Sequence, residues 1–462
     1  MTRRPVALAL TPAAALRAWP REVPLAALWS GGDAPDARWT VLARAGARRT
    51  LGRGASRDEA LSLLREVGAG TPAPPGDPDA PPLGPGWIGW MSYDLGTLLE
   101  PAAAGPRPAT DEEAWPLMEW VRCDEGLAHD RLRDAWWSFG GFDPARLIPG
   151  QPAERFEVGP LASGTGREAF EGSVARALEY IRAGDVYQVN LTHRLRGSFA
   201  GSTRAFFASL VAGADPWHGA YVETGTGDDR RAVASASPEL HLSFDPASRR
   251  VTTRPMKGTR RADLHADADG RSDLFASAKD AAELHMIVDL MRNDLGRVSD
   301  LGSVRVDEAR RIERHGGAGD GLWQATATVS GRLRDGLGLA DLVAATFPAG
   351  SITGAPKIRA MRLIGELEPV LRGPYCGGVG YVADDGGLAF SVAIRTALLH
   401  GGVLDYGVGA GIVADSEPET EWRETLDKAG ALRAAARGAT PLVSAPAVGA
   451  GVRARSGHAR PG

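Results

Sequence analysis

Lys257 stands in TTRPMKGTRR (252–261), next to Gly258 and among Arg254, Arg260 and Arg261. Neighbouring cations disfavour a protonated amine, which makes this lysine a candidate nucleophile, and the adjoining glycine lets backbone approach a ligand closely. The same residues also suit a solvated basic loop, or a patch that simply attracts an anion. A second candidate is Glu283, in SDLFASAKDAAELHMIVDLMRNDLGRV (272–298). It shares helical spacing with Asp280 and Ile287, and Leu284 and Met286–Val288 place it at the edge of the apolar stripe. A carboxylate there calls for a metal ion or a buried arginine, unless it is an ordinary boundary glutamate.

The third group is SEPETEWRETLDKA (416–429), where Glu421 and Glu424 fall on one helical face and Lys428 follows Glu424 by four residues. Two hard oxygen ligands for Mg²⁺ fit this spacing, and so does plain Glu–Lys pairing on a wet surface. The fourth is TFPAGSITGAPKIRAM (346–361), a glycine-loosened loop with Pro356 at the first position of a helix. Backbone N–H groups at such a start can receive a carboxylate, or the segment is only a connection.

The elements that must hold these groups are readable from periodicity. Residues 167–184 carry Phe170, Val174, Leu178 and Ile181 at helical spacing, and VYQVNLTHRL (186–195) follows as a strand. Residues 272–296 form a helix with Ser272 as N-cap, and a further helix runs from Ser416, paired with Glu419 in a capping box, to about Arg437. Glycine-rich strands lie between these helices, and GWIGWMSYDLG (86–96) is a strand closed by a turn at Asp94 and Gly96. The segment at 150–168 is loop-like and separates an N-terminal region, 1–150, from a catalytic region, 165–437, with a disordered tail at 438–462. Mixed strands and helices with long excursions indicate one large α+β or α/β unit. GVGAG (407–411) lacks the strand–turn–helix setting of a dinucleotide fingerprint.

Composition narrows the class. The chain has 462 residues, Lys+Arg 53 against Asp+Glu 57, and a net charge of −4, which argues against a nucleic-acid surface. Cys123 and Cys376 make neither a disulfide framework nor a metal cluster, and no apolar run suits a signal peptide or a membrane span, so a cytoplasmic setting is expected. The proline- and glycine-rich stretch at 68–86 reads as a loop.

Taken in order, PMKGTRR, AELHMIVDLMRNDLGRV, FPAGSITGAPKIRAM, YCGGVGY, SVAIRTA and GAGIVADSEPETEWRETLDKA resemble the chorismate-utilising enzymes. That family comprises component I of anthranilate synthase and of aminodeoxychorismate synthase, with isochorismate and salicylate synthases. These motifs cover most of 165–435; the N-terminal third matches more thinly, through VPLAALWSGG, GWIGWMSYDLG and SPEL (237–240). The resemblance implies the anthranilate synthase component I-like fold, two antiparallel sheets in a sandwich with helices outside and a cleft active site. It also implies a Mg²⁺ on the substrate's ring carboxylate, with Glu283 and Glu424 as ligands and Glu421 acting through water. Gly258, Thr259, Tyr375, Arg395, Gly409, Ala410, Gly411 and Lys428 match positions that hold chorismate.

Lys257 is similar to the lysine of aminodeoxychorismate synthases, where anthranilate synthases carry alanine. The resemblance gives it attack on ring carbon 2, after which ammonia adds at carbon 4 and expels it. Gln188 stands where isochorismate and salicylate synthases carry a water-activating lysine, which disfavours water addition. Gln324 stands at the family's frequent histidine position and leaves the proton donor unassigned. No Gly-x-Cys-x-Gly elbow is present, so ammonia is expected from solution or from a glutamine amidotransferase component II, and release of 4-aminobenzoate from another enzyme. The alternatives are anthranilate synthase component I and a non-catalytic relative that binds chorismate or tryptophan.

Overall fold

The computed structural model describes residues 3–32, 37–70, 80–106, 115–262, 267–316 and 321–437. The expected tail at 438–462 and residues 71–79 of the loop at 68–86 lie outside them.

Two large sheets dominate, antiparallel at every strand pairing. The first runs from the strand Arg4–Val6 through Leu25–Trp29, His218–Thr224, Val403–Ile412 and Gln188–Gly201 to the short strand Ala162–Ser163. The second runs from Met256–Arg261 through Leu322–Arg332, Leu388–Val392, Gly378–Ala383 and Gly86–Met91 to Arg48–Leu51. The N-terminal third supplies strands to both: Leu25–Trp29 pairs with His218–Thr224, and Gly86–Met91 pairs with Gly378–Ala383.

The sheets face each other through Ala26, Val41, Val222 and Val233 on one side and Ile88, Trp90, Val121 and Val379 on the other, all buried. Alternation along each strand sends the other residues outward, where helices cover them. Phe206, Phe207 and Leu210 of helix Thr203–Ala214 cover the first sheet, and Leu61 and Leu64 of helix Arg57–Val67 cover the second. The sandwich with outer helices matches the α+β expectation.

Local capping departs from the sequence reading in three places, one of them Pro356, which is the N-cap of helix Lys357–Leu367 and not its first residue because its ψ of 139° is extended. The long helix spans Ala278–Gly296, and its N-cap is Ser277, not Ser272, because Ser277 Oγ accepts from Asp280 N at 3.2 Å; Asp267–Ala276 is a separate helix. Ser416 does not cap the last acidic helix. Its Oγ accepts from Val413 N at 3.0 Å, Pro418 takes the first helical position, Glu417 becomes the N-cap, and the helical stretch divides into Pro418–Asp427 and Gly430–Arg437.

Candidate active site

Met256–Arg261 pairs with Leu322–Arg332, and the register slips between Lys257 and Thr259. Gly258 carries that slip at φ +74°, where a β-carbon would also come 2.8 Å from Asp280 Oδ1. Glycine is needed there twice over, for its left-handed backbone and for its missing side chain. Lys257 Nζ lies 3.0 Å from Glu283 Oε1 and donates to the Ser351 carbonyl at 3.3 Å.

Gln188, at the start of its strand, donates from Nε2 to the same Glu283 oxygen at 2.9 Å. Its own Oε1 is buried without a hydrogen-bond partner among the described residues. Across the ladder, a β-carbon on Gly411 would meet Gln188 Nε2 at 2.4 Å, Glu283 Oε1 at 3.2 Å and Lys257 Nζ at 3.3 Å. Lysine, glutamate, glutamine and glycine, drawn from four distant parts of the chain, therefore meet in one place.

The arginines beside Lys257 in sequence are otherwise engaged. Arg254 Nη2 donates to Glu313 at 2.8 Å, and Arg260 reaches Asp273 at 2.8 Å and Asp280 at 3.0 Å. The basic-loop account of Lys257 is corrected accordingly: its contacts are a carboxylate and a carbonyl, and the guanidiniums of Arg254 and Arg260 are paired with acids of their own.

Helix Pro418–Asp427 brings the second group of acids. Glu421 is buried; burial pushes its carboxyl up, and the charge of Glu424 adds to this. Burial acts on Glu424 too, but the ammonium groups of Lys428, Lys257 and Lys279 outweigh it and hold the carboxyl below its usual value. Lys428 Nζ lies 2.7 Å from Glu424 Oε1 and donates to the Gly409 carbonyl at 2.8 Å. The surface-type Glu–Lys pair is thus made, while Lys257 and Lys279 show that Glu424 also feels the first cluster.

The remaining expected positions have contacts of their own. Gln324 Nε2 reaches Thr259 Oγ1 at 3.4 Å. Ala410, buried, lies between Gly409 and Gly411 in the strand that faces Gln188–Gly201. The Tyr375 ring fills the space that a side chain on Gly407 would take. Arg395 is held at φ +50°; burial depresses its basicity, and Tyr406 is the neighbour that opposes this. At the start of helix Lys357–Leu367, Lys357 is paired with Asp294 and the Thr346 carbonyl; the loop before it contributes Ser351 to the lysine instead.

Sequence reasoning missed one group. Glu239, inside the SPEL string, is buried, and Ser351 Oγ donates to its Oε1 at 2.5 Å. Burial pushes its carboxyl up to about 7, against the opposing effects of Ser351 and the Lys257 charge. A carboxylic acid poised near neutrality beside an amine, with both tied to Ser351, is suited to move a proton. The only signal in the sequence was the string itself.

The profile of the chorismate binding enzymes matches residues 26–434. Anthranilate synthase component 1 of Thermus thermophilus is 38% identical over 376 residues, covering 77% of this chain and 78% of that one. Aminodeoxychorismate synthase component 1 of Klebsiella aerogenes is 37% identical over 362 residues, covering 76% and 77%. In three dimensions, anthranilate synthase component I of Streptococcus pneumoniae superposes with a TM-score of 0.72 at 29% identity, covering 86% of this chain and 92% of that one.

Proposed function

The chain belongs to the chorismate-binding enzyme family, and we propose that within it this protein is component I of an aminodeoxychorismate synthase, converting chorismate and ammonia to 4-amino-4-deoxychorismate. The observation that carries this reading is Lys257 itself, whose Nζ is 3.0 Å from Glu283 and within 3.3 Å of the space above Gly411.

In this reading the Lys257 amine bonds to ring carbon 2 while the carbon 4–oxygen bond breaks and the double bond shifts. Protonated Glu239 gives its proton to the departing hydroxyl, which leaves as water. Ammonia then bonds to carbon 4, the double bond returns, and the carbon 2–nitrogen bond to Lys257 breaks. One difficult displacement becomes two easier ones. Gln188, pinned to Glu283, fixes that carboxylate and offers no base for water addition.

Mg²⁺ belongs to this reading: Glu283 and Glu424 would offer it hard carboxylate oxygens, Glu421 would act through water, and the charge of Glu424 on Glu421 is of the kind a cation relieves. Such an ion would compensate the charge of the substrate's ring carboxylate. Ammonia would come from a glutamine amidotransferase component II, in keeping with the component 1 naming of the relatives, and the product would serve 4-aminobenzoate and folate synthesis.

The second reading is anthranilate synthase component I, favoured by the similar identity of the Thermus thermophilus relative. Incubation with chorismate, Mg²⁺ and ammonium separates the two. Fluorescent anthranilate, formed without any added lyase, would favour the second.

A further inference from the structure

His193 follows Gln188 on the strand Gln188–Gly201, at an odd spacing that turns it to the opposite face. There it is buried under helices Arg167–Arg182 and Pro418–Asp427. Its ring stacks on Trp422 of the second helix, with centroids 4.6 Å apart, and meets Phe170 of the first edge-on at 5.1 Å. Both ring nitrogens are engaged: Nδ1 lies 3.0 Å from Ser163 Oγ, and Nε2 lies 2.8 Å from Thr425 Oγ1. The reaction above uses none of these groups.

The protons along this chain can run only one way. A hydroxyl has one hydrogen, and Thr425 gives its own to the Trp422 carbonyl at 2.7 Å. Thr425 Oγ1 must therefore accept, which makes His193 Nε2 the donor. Burial holds the imidazole neutral, pushed down to about 4. Nδ1 then carries no hydrogen and accepts from Ser163, whose oxygen in turn receives Gly166 N–H at 3.2 Å. The ring is locked as a single tautomer between two hydroxyls.

What the lock grips is the helix that carries the second group of acids. Glu421 precedes Trp422 and Glu424 precedes Thr425, so the two helix residues that touch His193 are immediate neighbours of the two carboxylates. The same strand carries Gln188, pinned to Glu283 at 2.9 Å. We propose that His193, as its Nε2–H tautomer, is a positioning residue: through Thr425 and Trp422 it sets Glu421 and Glu424 against Glu283, where they would share Mg²⁺. The inference rests on the Mg²⁺ part of the reading above, and not on which nitrogen product forms. Removing a partner that orients a metal ligand costs about 10–100-fold in metal affinity. A packing role alone would lower stability and leave the Mg²⁺ affinity of the folded protein where it was.

The test is isothermal titration of Mg²⁺ into the full chain saturated with chorismate, with ammonium left out so that no aminated product forms. Glutamine reaches about as far as imidazole Nε2 and carries an N–H there, whereas asparagine reaches only as far as Nδ1. His193→Asn should weaken Mg²⁺ binding about tenfold or more, and His193→Gln should stay within about threefold of the wild type. In steady-state kinetics His193→Asn should raise KM for chorismate and leave KM for ammonium unchanged. Thr425→Val removes the same bond from the helix side, keeps the shape, and should weaken Mg²⁺ binding as His193→Asn does; it carries the test should the histidine variants not fold. Wild-type Mg²⁺ affinity in Thr425→Val or in folded His193→Asn, or equal weakening in the asparagine and glutamine variants, would overturn the proposal and leave the Mg²⁺ reading standing. A wild type that binds no Mg²⁺ would overturn both.

Discussion

Replacing Glu239 with glutamine tests the proton-moving assignment through stability and rate together. The variant keeps an oxygen to accept from Ser351 but cannot ionise. In the wild type, burial lifts the carboxyl from 4.5 to about 7, so between those values the folded protein retains a proton that the unfolded chain releases. Stability is therefore complete below the unfolded value, falls as pH rises through this window, and is fully reduced above about 7. The lift corresponds to about 3 kcal/mol at ~1.4 kcal/mol per tenfold change in proton affinity. Glu239→Gln should escape that loss, so its stability relative to the wild type should improve by about 3 kcal/mol between pH 4.5 and pH 8.5. Urea unfolding at a series of pH values reads this, and groups common to both proteins cancel in the difference. In activity the order reverses: kcat should fall by roughly 10²–10⁴-fold, and the decline of wild-type kcat/KM above pH 7 should flatten in the variant. Parallel pH dependences of both stability and rate in the two proteins would refute the reasoning.

Gly411→Ala places a methyl group against Gln188, Glu283 and Lys257; kcat/KM should drop by about 100-fold or more, read by steady-state kinetics, because the methyl displaces groups whose positions are set to within an ångström. Arg372→Met strands Glu368, which receives hydrogen bonds from Arg372 at 2.6 and 2.9 Å and from Thr192 N at 2.8 Å; denaturant unfolding should show a loss of about 3–5 kcal/mol. Dialysis against EDTA should abolish turnover and added Mg²⁺ restore it, while Glu283→Gln should raise the Mg²⁺ concentration for half-maximal rate about tenfold or more.

Most helices and strands were legible in the sequence because alternation and helical spacing are local, while the sandwich came through the resemblance. Helix Arg167–Arg182 and the strand from Gln188 lie within a few residues of where periodicity puts them. What periodicity could not do was choose between equivalent caps: Ser272 and Ser277 are both good cap residues, and only the bond from Asp280 N decides. Nor could spacing show that Arg254 and Arg260 are neutralised by Glu313, Asp273 and Asp280, since those acids come from other elements. Lys257 and Glu283 stood out by residue type and setting, Gln188 and Gly411 emerged through the resemblance, and the fold brings the four together. Glu239 escaped because its significance arises from burial and from Ser351, 112 residues away, neither of which leaves a local pattern.

The central claim is that Lys257 directs this protein toward amination at carbon 4. Its most direct measurement is mass spectrometry of the product formed from chorismate, Mg²⁺ and ammonium, run in parallel on the wild type and Lys257→Ala. The account predicts 4-amino-4-deoxychorismate from the wild type, with a covalent adduct on Lys257 in quenched samples, and little or none from the variant. Anthranilate from the wild type, or aminodeoxychorismate formed by the variant at the wild-type rate, would contradict it.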